Sequence, residues 1–239
     1  IAERFTPAAR ALPDTDWHVD WLYGFAAALD AGLLVATHSR YVIDLNRDPE
    51  GAELYPGADN TELCPTTQFD RQPVYRDSEA PDPAEVARRR AAYWQPYHDA
   101  LAGELERLKR AHGHALLYDA HSIRSRVPRF FDDVLPDLNI GTGGGGSADP
   151  ALTIRLSLAC HDASDYAVAV NGRFKGGYIT RHYGDPAGAV NAVQMELAQT
   201  TYMDEDPPYA FDDTRADKLR TALRAVLAKM LEWEHAHSG

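Results

Sequence analysis

The sequence predicts an α/β protein, a three-layer sandwich around a mixed, largely parallel sheet. Strand-length apolar runs at residues 115–118, 151–158, 178–183 and 190–197 are interspersed with helical patterns at 20–31, 82–111, 162–170 and 213–235. Alternation of that kind builds a sheet covered by helices. The 239 residues, 44% of them hydrophobic, suffice for a single domain spanning 1–239 with a substantial core.

The elements follow in order. Trp21, Leu22, Phe25 and Leu29 recur at helical spacing in 20–31. Residues 33–43 read as strand structure, and 47–78, rich in Pro, Gly, Asn and Asp, as a long irregular excursion. Asp82 followed by Pro83 is an N-cap and first-turn proline. The helix opened there should run to about Ala111, be kinked or split by Pro96, and stop at Gly113. The 115–118 run ends in Asp119-Ala120-His121-Ser122. The final helix carries Leu219, Leu223, Val226, Leu227, Met230 and Leu231 on one face. In sheets of this class ligands bind beyond the carboxyl ends of strands, so polar residues that follow an apolar run are the first candidates for chemistry.

Composition narrows the partners. A net charge of −12 opposes binding to nucleic acid, whose phosphates require a basic surface. No apolar run approaches the roughly 18 residues of a membrane span. Two widely separated cysteines, Cys64 and Cys160, fit a reducing cytoplasm and exclude a disulfide scaffold or a cysteine-rich zinc site. Residues 1–10 lack the apolar stretch of a signal peptide.

Four groups could carry chemistry. His121 can offer a ring nitrogen to a metal, with Asp119 able to orient the ring. The segment Asp14-Thr15-Asp16-Trp17-His18-Val19-Asp20 concentrates three carboxylates and a histidine, which suits metal ligation and equally suits helix capping. Arg40, Asn46 and Arg47 form a fork-and-amide set matched to a small carboxylate, or an arginine pair bonded to the protein's own acids. Glu196 lies in an apolar strand, where a carboxylate is costly unless paired, ligated or catalytic. Arg124 and Arg181 add positive charge, so a small anionic substrate is expected. The run Gly141-Thr142-Gly143-Gly144-Gly145-Gly146-Ser147 lacks the Lys of a P-loop and reads as an active-site loop.

Taken together, residues 15–20 (TDWHVD), 39–47 (SRYVIDLNR), 118–125 (YDAHSIRS), 135–142 (LPDLNIGT), 172–181 (GRFKGGYITR) and 194–199 (QMELAQ) resemble the N-formylglutamate amidohydrolase family. The order of these segments carries the match. That family is similar to zinc carboxypeptidases and aspartoacylases, which implies a zinc-carboxypeptidase-like fold and one zinc ion. The resemblance implies that His121 is a zinc ligand and Asp16 the carboxylate ligand, with Asp20 the alternative. It implies that Glu196 is the general base, that Arg40 stabilises the oxyanion or helps hold substrate, and that Asn46 and Arg47 grip the substrate's α-carboxylate. Arg124 and Arg181 are then candidates for its side-chain carboxylate. A Pro-His-Ser-Gly-like segment supplies the family's remaining zinc ligand; it is expected to precede Ile1, with His18 as a substitute donor. The activity implied is hydrolysis of N-formyl-L-glutamate to glutamate and formate, within histidine degradation. The alternatives are another N-acyl amino acid hydrolase or a carboxypeptidase on the same scaffold, or a metal-free binder of acidic metabolites.

Overall fold

The computed structural model describes residues 1–163 and 165–237. The chain divides into two compact units, one of residues 1–15, 36–102 and 126–134, the other of residues 16–35, 103–125 and 135–239.

The first unit is mostly irregular. Its core is Phe5, Ala9, Tyr41, Val74 and Tyr75, with Phe5 edge-on to Tyr41 and Tyr75 at centroid distances of 5.9 and 5.3 Å. Helix α2 (Pro83–Arg89) starts as predicted, the Asp82 carboxylate accepting from the Glu85 amide at 2.7 Å. A π-helical turn, Arg90–Trp94, separates it from α3 (Gln95–His112). Pro96 has no N–H for the Ala92 carbonyl, so the helix widens there rather than continuing in α register. The 47–78 excursion is held by side chains. Arg129 donates to Thr67 Oγ1, the Gln68 carbonyl and Asp59 Oδ1 at 2.8–2.9 Å. Buried Asp14 accepts from Tyr41 Oη at 2.5 Å and from the Phe69 amide at 2.8 Å.

The second unit carries the expected mixed α/β fold. Strands β1 (Ala115–Ile123), β2 (Leu138–Gly141), β3 (Val168–Val170) and β4 (Val190–Ala198) form one sheet in the order β1-β4-β2-β3. The pairs β1–β4 and β2–β3 are parallel, and β2–β4 is antiparallel. Because side chains alternate across a strand, Val193, Met195 and Leu197 of β4 and Leu138 and Ile140 of β2 share one face. That face packs on α4 (Pro150–Ala163) through Leu152 and Leu156, and on α6 (Asp213–His237) through Leu219, Leu223 and Val226. Gly113, at φ +81°, ends α3 as predicted. Both cysteines are buried free thiols. Among the described residues no helix is long and apolar enough to cross a membrane.

Several expectations are corrected. Residues 151–158 form part of helix α4, not a strand: Leu152, Leu156, Ala159 and Cys160 face the core, while Ile154 and Leu158 are exposed and mimic strand alternation. Residues 178–183 are helix α5 (Tyr178–Tyr183), burying Ile179 and Thr180. The 162–170 helix is absent over its described residues beyond the end of α4; β3 takes its last three positions, where pairing with β2 outweighs local propensity. Residues 33–43 make no strand, and Leu33 and Val35 are exposed. The 20–31 helix is only α1 (Val19–Leu22) followed by a 3-10 segment, Gly24–Leu29. Finally, β1 does not stop at Tyr118 but continues through Ile123, placing Asp119 and His121 within the strand.

Candidate active site

The continuation of β1 explains how its polar residues meet those of β4. In the parallel register Asp119 faces Gln194 and His121 faces Glu196. All four lie on the sheet face opposite the apolar core, so they form a two-by-two polar grid. Glu196 and Gln194 are buried, 7% and 4% exposed, and a buried carboxylate requires compensation. Gln194 supplies part of it, donating from Nε2 to Glu196 Oε2 at 3.0 Å.

His121 is bracketed by two carboxylates. Its Nδ1 lies 2.8 Å from Asp16 Oδ2 and its Nε2 lies 3.0 Å from Asp119 Oδ1. Burial opposes the charged ring, but the Asp119 and Asp16 carboxylates outweigh it and hold the His121 pKa well above the usual histidine range. Thr180, on α5, donates to the other oxygen of Asp119 at 3.4 Å. Asp16 is brought to His121 by an anchored turn. The Trp17 carbonyl lies 2.7 Å from Tyr202 Oη, and Trp17 stacks on Tyr209 at 5.4 Å. His18 adopts a left-handed φ of 61° and points Nε2 at the Tyr209 carbonyl, 2.8 Å away. That histidine is a wall of the turn rather than a donor beside Asp16. Asp20, the alternative to Asp16, is exposed in α1.

One imidazole nitrogen beside one carboxylate oxygen is a donor pair that zinc accepts. A second carboxylate behind the opposite ring nitrogen is the usual orienting partner of a ligating histidine. The pair accounts for two donors; among the described residues no group of three or more His, Cys, Asp or Glu side chains is arranged to hold a metal.

In the first unit, Arg40 and Arg47 gather around Asp44, with their Nη1 atoms 3.6 and 3.7 Å from its Oδ2. The Asn46 backbone N–H donates to Asp44 Oδ1 at 2.9 Å. Arg47 is fixed further by Thr61, donating from Nη2 to Oγ1 at 2.9 Å, and Arg40 lies over the Phe69 ring at 5.2 Å. In the structure this set is steadied by one of the protein's own acids, Asp44.

The two remaining arginines differ. Arg124 contacts Asp206 Oδ1 at 3.6 Å and donates to the Glu205 carbonyl at 2.5 Å, so it is committed to that loop. Arg181 lies on α5, its Cγ 3.6 Å from where a Cβ on Gly143 would sit. The glycine run is a turn held by Asn171, whose Oδ1 accepts from the Thr142 and Gly144 amides at 2.8 and 3.3 Å, while residues 144–146 are exposed. Gln194 and Thr180 were not singled out from sequence. The signal for Gln194 was available, since it is two residues from Glu196 in a strand of otherwise apolar character, and period 2 places the pair on one face.

Known proteins resemble this chain in sequence and in fold. A sequence model of the N-formylglutamate amidohydrolase family matches residues 1–203. An N-formylglutamate deformylase of Pseudomonas aeruginosa PAO1 is 52% identical over 238 residues, covering 96% of this chain and 89% of that protein. One from Pseudomonas putida is 49% identical over 233 residues, covering 98% and 87%. The crystal structure of an N-formylglutamate amidohydrolase from Ralstonia eutropha JMP134 superposes with a TM-score of 0.77 at 27% identity, covering 95% of this chain and 86% of that one. A family match over most of the chain, with close relatives over nearly all of it, leaves a plain conclusion: the chain belongs to the N-formylglutamate amidohydrolase family.

Proposed function

We propose that this chain hydrolyses N-formyl-L-glutamate to glutamate and formate, in the reducing cytoplasm and within histidine breakdown. The observation that carries this reading is the polar grid of the second unit, in which a buried carboxylate, Glu196, stands in register with the Asp16–His121–Asp119 bracket. The relatives' names supply the substrate.

Asp16 and His121 would hold a zinc ion, with Asp119 fixing the ring. When bound, zinc supplies Lewis acidity toward the amide carbonyl and toward water. Glu196 removes a proton from the attacking water as its oxygen bonds to the formyl carbon. It then delivers that proton to the amide nitrogen as the C–N bond breaks; the proton left on the new carboxyl passes to the amine, so formate and the ammonium form of glutamate leave. Arg40 is assigned the negative charge that develops on the carbonyl oxygen, where a fixed cation acts most strongly. Asn46 and Arg47 are assigned the α-carboxylate, because a planar fork and a neutral amide match its two oxygens. Arg124 and Arg181 are the two candidates for the side-chain carboxylate.

The test is a turnover screen of N-formyl, N-acetyl and N-succinyl amino acids with zinc added. N-formylglutamate should give the highest kcat/KM, by about 100-fold or more over formylated neutral amino acids, which lack the side-chain carboxylate. Absence of acyl release from every compound would overturn the proposal.

A further inference from the structure

We infer that Gln194 is a positioning residue for Glu196, a two-ended clamp that sets the carboxylate's orientation; the inference rests on the reading of Glu196 as general base.

Gln194 uses both ends of its amide. Its Nε2 donates to Glu196 Oε2 at 3.0 Å, and its Oε1 accepts from the Gly177 amide at 2.7 Å. A terminal amide that makes one bond can rotate; one that makes two, in opposite directions, is fixed. With Gln194 fixed, the Glu196 carboxylate loses a degree of freedom that a buried base must otherwise surrender at the moment of reaction.

The anchor at the far end is itself built by sequence. The turn containing Gly177 must approach the sheet closely enough for its amide to reach Gln194. Gly141, paired with Gln194 across β2 and β4, makes that approach possible: a Cβ there would sit 2.4 Å from the Gly176 nitrogen. Gly176 takes a φ of +101°, in the region open chiefly to glycine, and turns the next amide inward. The same turn opens α5, whose Thr180 bonds Asp119. One short segment therefore supports both strands of the polar grid, through Gln194 on β4 and through Asp119 on β1.

Two substitutions separate positioning from mere support of the fold. Gln194→Met keeps the volume and removes both hydrogen bonds. Gln194→Asn keeps the amide chemistry but is one methylene too short to reach Gly177 and Glu196 together. Each should lower kcat for N-formylglutamate by about 10- to 100-fold, the range seen when an orienting partner is lost. KM should change less than about threefold, with melting temperature and zinc content near those of the parent enzyme. In a Glu196→Gln background, neither substitution should lower formate release further, since the group it positions is gone. Normal kcat in Gln194→Asn would overturn the inference, because the two-ended span would then not matter. Multiplying losses in the double variants would overturn it as well. Should Gln194→Met fail to fold, the Gln194→Asn results decide alone. Failure of the base assignment looks different: Glu196→Gln by itself would then turn over near normally.

Discussion

His121 and Asp16 are 105 positions apart in sequence, yet His121 Nδ1 lies 2.8 Å from Asp16 Oδ2. A long-range pair of this kind, with Asp119 at the opposite ring nitrogen, has to be held in place by the elements around it. Strand β1 fixes the histidine, and the Trp17–Tyr202 contact fixes the turn that carries the aspartate. The bracket is the basis of the metal proposal and of its first test. Chelation should abolish activity and added zinc should restore it. Asp16→Asn should lose zinc on dialysis that the parent protein retains. Elemental analysis alongside formate release checks both, and activity indifferent to chelators would reject the metal.

Asp119 acts on His121 through its ring nitrogen. Asp119→Asn keeps the size but exchanges the carboxylate for a neutral amide that no longer favours one ring tautomer. Zinc affinity should fall by about 10- to 100-fold, measured by competition with a chromophoric chelator, while far-UV dichroism stays unchanged.

Arg47 offers a substrate-binding test confined to the first unit. It is steadied by Thr61 and Asp44, so its fork is pre-organised, and lysine cannot reproduce two parallel donors. Arg47→Lys should raise KM by about 10-fold or more with a smaller change in kcat. Steady-state kinetics settles it; an unchanged KM would remove Arg47 from the substrate's contacts.

Acid stability should depend on Asp59. The Arg129 guanidinium, by hydrogen bond and charge, holds the Asp59 carboxyl below its ordinary range. A carboxyl with a lowered folded-state pKa stabilises the protein above its unfolded pKa, about 4. That contribution is lost as pH falls through the lower folded value. Asp59→Asn should therefore be less stable than the parent near neutrality and flatter in urea midpoint below about pH 4. Parallel midpoint curves for the two proteins would contradict this.

Arg89 is 2% exposed and donates to Tyr75 Oη at 2.7 Å and to the Val42 carbonyl at 3.1 Å, while pairing with Glu85 at 2.9 Å. Arg89→Met fills part of the volume but leaves those acceptors buried without a donor. A loss of about 2–4 kcal/mol in unfolding free energy is expected by urea titration.

The sequence was most legible where local chemistry and tertiary context agree. The Asp82–Pro83 start, the Pro96 break and the Gly113 stop are backbone effects that act within one turn, and each appears as expected. The apolar run at 190–197 is β4, because a strand packed on both sides admits few alternatives. Alternation misled at 151–158, where exposed Ile154 and Leu158 imitated a strand on the outside of a helix. It misled again at 178–183, a helix whose start is set by the Gly176–Gly177 turn, a tertiary feature. Within the candidate site, Asp16, His121 and Glu196 were recognisable by type and order. The Gln194 clamp was not, since its second partner is a backbone amide that no residue type announces.

The central claim is that Glu196 moves the proton between water and the amide nitrogen. The most direct measurement is kcat for formate release by Glu196→Gln, with substrate binding followed in parallel by calorimetry. The account predicts binding within about threefold of the parent and a kcat lowered by about 10²- to 10⁴-fold. Near-normal kcat in that variant, with its zinc content intact, would contradict it.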